Sequence, residues 1–250
     1  MKRFTYKILF VMIALAMVSC KRDDTLRYGN VTMGNFVDGT FVSDQGNRFN
    51  IIENLSGVKT EEIERGIMQC DVLSKVEGTE NAYNVRVTVL QSVFTKDPIA
   101  RAEADADVEK IVEDPIHVQQ YWIAGGYLNM YVTFEIQFPY LENSKHMLNL
   151  AYEKTEQGYT VNLRHNAFGE CLSQNDSAEQ WMLAGSYVSF PLSSIITENE
   201  AKVLLKWKSH VINGQAWSAD VTDCSVSLQY SKDYFEQAPQ PLQSKSISIE

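Results

Sequence analysis

The sequence predicts an all-β protein in which a small barrel is followed by a β-sandwich, both behind a lipoprotein-type signal peptide. Three observations carry that expectation. Leu128, Met130, Val132, Phe134, Ile136 and Phe138 alternate without a break against Tyr127, Asn129, Tyr131, Thr133, Glu135 and Gln137, the period of a strand with one apolar face. Similar short alternations recur along the chain, separated by Gly, Asn and Ser turns. The 250 residues are 44% hydrophobic and 22% charged, enough to build packed cores and too apolar for wholesale disorder. The formal charge of −10 argues against nucleic acid, whose phosphates call for a basic surface.

Lys2, Arg3 and Lys7 precede an unbroken apolar run from Ile8 to Val18. Those eleven residues span roughly 16 Å as a helix, half of a bilayer core. A basic start, a short apolar stretch and a small residue before a cysteine are the parts of a secretory signal. Residues 1–19 are therefore read as a signal peptide. Met17-Val18-Ser19-Cys20 resembles a bacterial lipobox, which implies lipidation at Cys20 and attachment to a membrane through acyl chains. Removing residues 1–19 takes away three positive charges and no acids, so the mature chain carries −13. Lys21-Arg22-Asp23-Asp24 then resembles the signal that sends Bacteroidetes lipoproteins to the cell surface. An outer-membrane lipoprotein facing the cell surface is the expected location, with 20–33 as a polar, lipidated tether.

The barrel is expected over 34–98. Asp38-Gly39 is a tight-turn dipeptide, Asp44-Gln45-Gly46-Asn47 is a second turn, and Phe49 and Ile51 share one face of a strand. Ile67–Leu73 and Tyr83–Leu90 supply further strands, the second alternating Tyr83, Val85, Val87 and Val89 with polar residues. A unit this small needs a neighbour for stability. Residues 99–114 are rich in alanine and acids and are expected as a linker or short helix between domains. The run lacks the Asp-x-Asp-x-Asp-Gly loop of a calcium site. The sandwich is expected over 115–235, from the 127–138 strand and from Leu148/Leu150, Tyr159/Val161/Leu163, Val188/Phe190/Leu192, Val203/Leu205/Trp207 and Cys224–Tyr230. Residues 236–250 are a polar tail.

Cys70 and Cys224 sit on apolar phases and read as buried thiols. A Cys171–Cys224 bridge is permitted by spacing and not established by it. No CxxC, HxH or HExxH spacing occurs, so a metal or cofactor has no support.

Read together, these segments resemble the NigD-like lipoproteins of Bacteroidetes. Glu64-Arg65-Gly66-Ile67-Met68, Asp114-Pro115-Ile116, Gly125-Gly126-Tyr127-Leu128-Asn129, Leu163-Arg164-His165-Asn166-Ala167 and Ser189-Phe190-Pro191-Leu192 carry the resemblance in order. Glu170 stands where an Asp is expected. The resemblance implies an OB-like N-terminal domain and a C-terminal β-sandwich; it implies no settled activity.

The candidate binding residues are His165, Arg164, Asn166, Tyr127, Tyr131 and Trp122. His165 shares the inward phase of its strand and Arg164 points the other way. Tyr127 and Tyr131 fall on the polar phase of theirs. An exposed aromatic strip stacks on sugars or docks a partner; the same strip also suits the seam against the barrel. Gly185-Ser186-Tyr187 lacks the flanking glycine of a nucleophile elbow, and no glycine-rich phosphate loop occurs. Asp24-Thr25-Leu26 and Asp176-Ser177-Ala178 resemble the short sites at which Bacteroidetes attach O-glycans. The expected function is a non-enzymatic envelope module that binds a protein or a glycan. The alternatives are a hydrolase centred on His165 and a bacteriocin-associated role.

Overall fold

The computed structural model describes residues 26–137, 145–172, 181–213 and 216–233. The signal peptide, Cys20, both glycan-type motifs apart from Leu26, and the polar tail lie outside the described residues. None of the described helices is long and apolar enough to cross a membrane.

The first unit is a closed barrel of β1 (Leu26–Val37), β2 (Thr40–Ser43), β3 (Arg48–Asn54), β4 (Arg65–Lys75) and β5 (Ala82–Ser92), in the order β1-β2-β3-β5-β4. Asp38 and Gly39 take φ of 50° and 76°, the pair of positive values that a two-residue hairpin turn needs. Closure leaves the barrel without a free edge. Phe41, Phe49, Met68, Cys70, Val85, Val87 and Leu90 fill it. Burial pushes the Cys70 thiol up to about 11, which makes it a packing group.

The second unit stacks two sheets. One orders β14 (Ala216–Ser231), β13 (Glu200–Asn213), β11 (Gly158–Asn166), β10 (Met147–Thr155) and β7 (Ile99–Ala100). The other orders β6 (Phe94–Thr95), β12 (Trp181–Pro191), β9 (Tyr127–Gln137) and β8 (His117–Ala124). Leu128, Met130, Val132, Leu150, Val161, Leu163, Phe190, Val203, Leu205 and Tyr230 form the core between them, so the apolar phase of β9 points inward as its sequence requires.

Three boundaries differ from the sequence reading. Residues 26–33, expected within the tether, belong to β1, and Leu26 already pairs with Val72 on β4. A register shift between Tyr28 and Thr32 breaks the alternation there and hides the strand. Phe94–Thr95, placed in the barrel by sequence, pairs with Val188–Ser189 of β12. The 99–114 segment, expected as a linker or short helix between domains, does hold a short helix but is part of the sandwich. Ile99 and Ala100 pair with Ala151 and Tyr152; the helix α1 (Arg101–Asp105) follows. Its acids are not simply solvated, because Asp105 and Glu113 face Arg164. A register shift between Val118 and Gln120 likewise explains why β8 has no clean period.

One side chain joins the two units. Arg65 on β4 is buried, and each of its five N–H groups has an acceptor. Nε donates to Ser189 Oγ at 3.0 Å; Nη1 donates to Asn35 Oδ1 and Asp44 Oδ1, both at 2.9 Å; Nη2 donates to Asp44 Oδ2 at 2.7 Å and Asn129 Oδ1 at 2.8 Å. The Tyr127 ring lies over the guanidinium, 3.9 Å from centroid to Cζ. Gly125, at φ +59°, leaves the room for this arrangement, since a Cβ there would stand 2.3 Å from Asp44 Oδ1. Met33, Ile67, Val93, Trp122, Ala124 and Tyr187 make an apolar patch along the same seam. Arg65→Ala strands the buried Asp44 carboxylate without its partner and is expected to cost about 3–5 kcal/mol, read from urea unfolding. Gly125→Ala is expected to lower the unfolding midpoint in the same assay.

Candidate functional site

The sequence-predicted residues fall into two groups. Trp122, Tyr127 and Tyr131 lie along the seam. Trp122 is buried in the apolar patch there, and Tyr127 covers Arg65. Tyr131 packs on Tyr187 with ring centroids 4.8 Å apart, above Gly185, whose absent side chain makes room for the Tyr131 hydroxyl. At Tyr127 and Asn129 the polar phase of β9 therefore faces the barrel rather than water, and these rings are not an open stacking platform.

Arg164, His165 and Asn166 lie at the other end of the sandwich, where β9 ends and β10 begins. All three are buried. Asn166 donates through Nδ2 to Glu109 O and accepts from the Phe168 N–H, which holds the turn at the end of β11. That turn sets Phe168 at φ 49° with its ring half exposed. Arg164 reaches outward to Asp105 and stands 3.4 Å from Glu113. The 99–114 segment thus roofs this part of the sheet.

His165 is 1% exposed and both ring nitrogens have partners. Nδ1 lies 3.0 Å from Pro115 O, which can only accept, so Nδ1 carries the proton. Nε2 then accepts from His146 Nδ1 at 2.9 Å. His146 Nε2 is left 3.2 Å from Glu170 Oε2, a contact that is a hydrogen bond only when a proton sits on the imidazole or the carboxyl between them. The Phe134 ring packs 4.2 Å from that of His146. Burial holds the pKa of His146 and of His165 below the usual histidine range.

Sequence reading left His117, His146 and His210 scattered, yet the fold gathers all four histidines of the chain at this end. Their signal was invisible because each comes from a different strand or loop. His117 Nε2 stands 3.1 Å from Glu135 Oε1, and His210 Nε2 stands 3.6 Å from the same oxygen. Ser209 Oγ lies 3.0 Å from His117 Nδ1. All four of these side chains are buried. Burial raises the Glu135 carboxyl, and the opposing pull of His117, a backbone bond and His210 brings it out below the usual carboxylate range.

Ser209, His117 and Glu135 form a hydrogen-bonded relay of hydrolase type. Two features oppose nucleophilic work. The serine is buried, and with Glu135 ionised the relay orients His117 by Nε2 and meets the hydroxyl at Nδ1. No set of three or more His, Cys, Asp or Glu side chains among the described residues stands where it could hold a metal ion. Cys171 and Cys224 are both free thiols. Burial, with Asp114 and Glu135 adding, pushes Cys171 up to about 12.

A surface concavity lies elsewhere. A groove of about 490 Å³ crosses the outer side of the five-stranded sheet. Arg101, Glu113, Glu153, Lys206, Trp207 and Lys208 are among its lining residues. Several of its charges are paired across the floor, Arg101 with Glu153 at 2.8 Å and Lys208 with Glu113 at 3.4 Å.

The histidine cluster makes a pH prediction. His146 and His165 titrate lower in the fold than in the unfolded chain, and Glu135 does too. Below about pH 6.5 the unfolded chain binds protons that the native histidines refuse, so their contribution is present above that pH and lost as pH falls. Glu135 extends the loss into the carboxylate range. Urea unfolding is expected to show lower stability at pH 5.5 than at pH 7.5, and His146→Asn is expected to flatten the difference.

The comparisons with known proteins agree with this architecture. A family profile described as the NigD-like C-terminal beta sandwich domain matches residues 98–222, half of the chain. No curated protein matches the sequence. Among solved structures, a NigD-like immunity protein from Bacteroides caccae is 20% identical with a TM-score of 0.56, over 82% of this chain and 96% of its own. A candidate toxin-related protein from Parabacteroides distasonis is 18% identical with a TM-score of 0.56, over 82% and 92%. A candidate lipoprotein from Bacteroides fragilis is 11% identical with a TM-score of 0.55, over 81% and 98%. At such identities these likenesses speak to fold alone. The profile match, together with the two-unit β architecture, shows that this chain belongs to the NigD-like family.

Proposed function

We propose that the protein is a non-enzymatic binding module of the cell envelope, tethered through a lipid on Cys20 at the outer membrane and facing the cell surface, with a glycan as its ligand. The observation that carries the binding reading is the groove on the outer side of the five-stranded sheet. Lys206, Lys208 and Arg101 stand beside Glu113, Glu153 and Asp223, with Thr160, Asn162 and Ser225 among them. Side-chain donors and acceptors of both kinds suit a hydroxyl-rich ligand better than an apolar one. The anchor reading rests on the basic start, the Ile8–Val18 run and Ser19-Cys20, and the Bacteroides fragilis relative named as a candidate lipoprotein is consistent with it.

The non-enzymatic reading rests on the histidines. His165 has no free nitrogen for a substrate, and Ser209 is buried beneath His117. The Ser209–His117–Glu135 relay supports hydrolysis as the second reading.

Screening the full-length protein against arrayed glycans tests the binding claim, and Lys206→Glu with Lys208→Glu is expected to abolish any hit while the fold persists. Absence of any hit overturns the glycan assignment. A hydrolytic activity lost in Ser209→Ala overturns the non-enzymatic reading. Cys20→Ser is expected to move the protein from the membrane to the soluble fraction, with loss of fatty acid from its mass.

A further inference from the structure

The groove on the outer face of the five-stranded sheet already contains a carboxylate set among donors, and it belongs to the chain itself. Glu113 lines the groove. Asn162 Nδ2 on β11 donates to Glu113 Oε1 at 2.5 Å. Arg164 Nε, two residues along the same strand, stands 3.4 Å from that oxygen. Lys208 Nζ on β13 stands 3.4 Å from Oε2. An amide, a guanidinium and an ammonium around one carboxylate are the parts of a carboxylate-recognition site.

Glu113 fills that site incompletely. The Arg164 side chain is 5% exposed, yet its Nε and Nη1 have no hydrogen-bond partner among the described residues. Nη2 alone is bonded, to Asp105 Oδ1. Arg65 at the seam, equally buried, has an acceptor for every donor. An unmet charged donor out of water costs free energy, and an acceptor that met Nε squarely would recover it. The backbone beside Glu113 is pinned, because the Asp114 N–H donates to His165 O and the Ile116 N–H to Lys208 O. The Glu113 side chain is 28% exposed. Its own torsions therefore suffice to turn the carboxylate out to water while the fold stays as it is.

We propose that Glu113 is a built-in competitor for the groove and that the ligand is a glycan bearing carboxylates. A uronate carboxylate displaces Glu113 and takes its place against Arg164, Asn162 and Lys208. The inference rests on the glycan reading of the groove and narrows it to acidic sugars. With Glu113 turned away, Arg101, Arg164, Lys206 and Lys208 outnumber Asp105, Glu153 and Asp223, so the vacated position favours an anion. Thr160 and Ser225, which also line the groove, are left for the sugar hydroxyls.

The test uses the full-length protein in detergent and isothermal titration with short oligomers of galacturonate, mannuronate and glucuronate, each run also as its methyl ester. The wild type is expected to bind at least one of the acids and not its ester. Glu113→Gln keeps the size of the side chain and removes the competing charge. It is expected to bind that acid about tenfold more tightly, the gain when a site open about one-tenth of the time is opened fully. A glutamate that serves the fold alone gives no such gain. Arg164→Gln is expected to abolish binding of the acid. Lys208→Gln, at a half-exposed position, is expected to weaken it and decides the matter where Arg164→Gln does not fold. Esters that bind as tightly as the acids, neutral glycans that bind in their place, or an affinity unchanged in Glu113→Gln would overturn this inference and leave the glycan reading standing. Binding of no glycan, charged or neutral, overturns both. Poly-glutamate bound instead of the uronates overturns the sugar assignment.

Discussion

The structure depends on one buried guanidinium. Arg65 leaves the barrel wall and spends all five donors on oxygens drawn from both units, with the Tyr127 ring closing the remaining face. A cation removed from water is tolerated only when it is paired and fully hydrogen-bonded. The requirement runs in both directions. Asp44 is kept ionised in a buried site by Arg65, against burial that raises its carboxyl above the usual range. A small barrel that needs a neighbour is thus keyed to that neighbour by charge, not by apolar contact alone.

That key explains where several of the segments that carry the resemblance fall. Arg65 belongs to the first segment, Gly125, Tyr127 and Asn129 to the third, and Ser189 to the last. They are far apart in the chain and meet at one atom group. The remaining two segments, Asp114 to Ile116 and Leu163 to Ala167, build the opposite end, where Asn166 holds a turn, Arg164 binds the 99–114 segment and His165 joins the imidazole chain and meets Pro115 O. These segments are concentrated on joints that keep two units in one geometry. None of their side chains lines the groove on the outer sheet face, which takes Asn162 from just before Leu163.

The architecture was legible in the sequence wherever strands keep a strict period of two. The β9 alternation is the best case, and the Asp38-Gly39 turn and the valines of β5 are others. It was illegible where a register shift intervenes, as at Tyr28–Thr32 in β1 and Val118–Gln120 in β8. Side-chain partners were harder. Asn129 and Glu135 sit on the polar phase of β9 and are both buried, because polar groups there serve Arg65 and the histidines instead of solvent. The acids of 99–114 resemble a solvated run until Arg164 is seen beneath them. Periodicity reports which face a residue takes, and says nothing about what lies opposite that face.

The position of β1 gives the molecule a mechanical character. Its first residue, Leu26, is locked to Val72 on β4, and β4 is the strand that carries Arg65. Tension applied through the residues that precede Leu26 enters the fold at that pair, passes along β4, and reaches Asn129 and Ser189 through the guanidinium. Barrel and sandwich then respond to a pull as one load-bearing body, without a slack hinge between them.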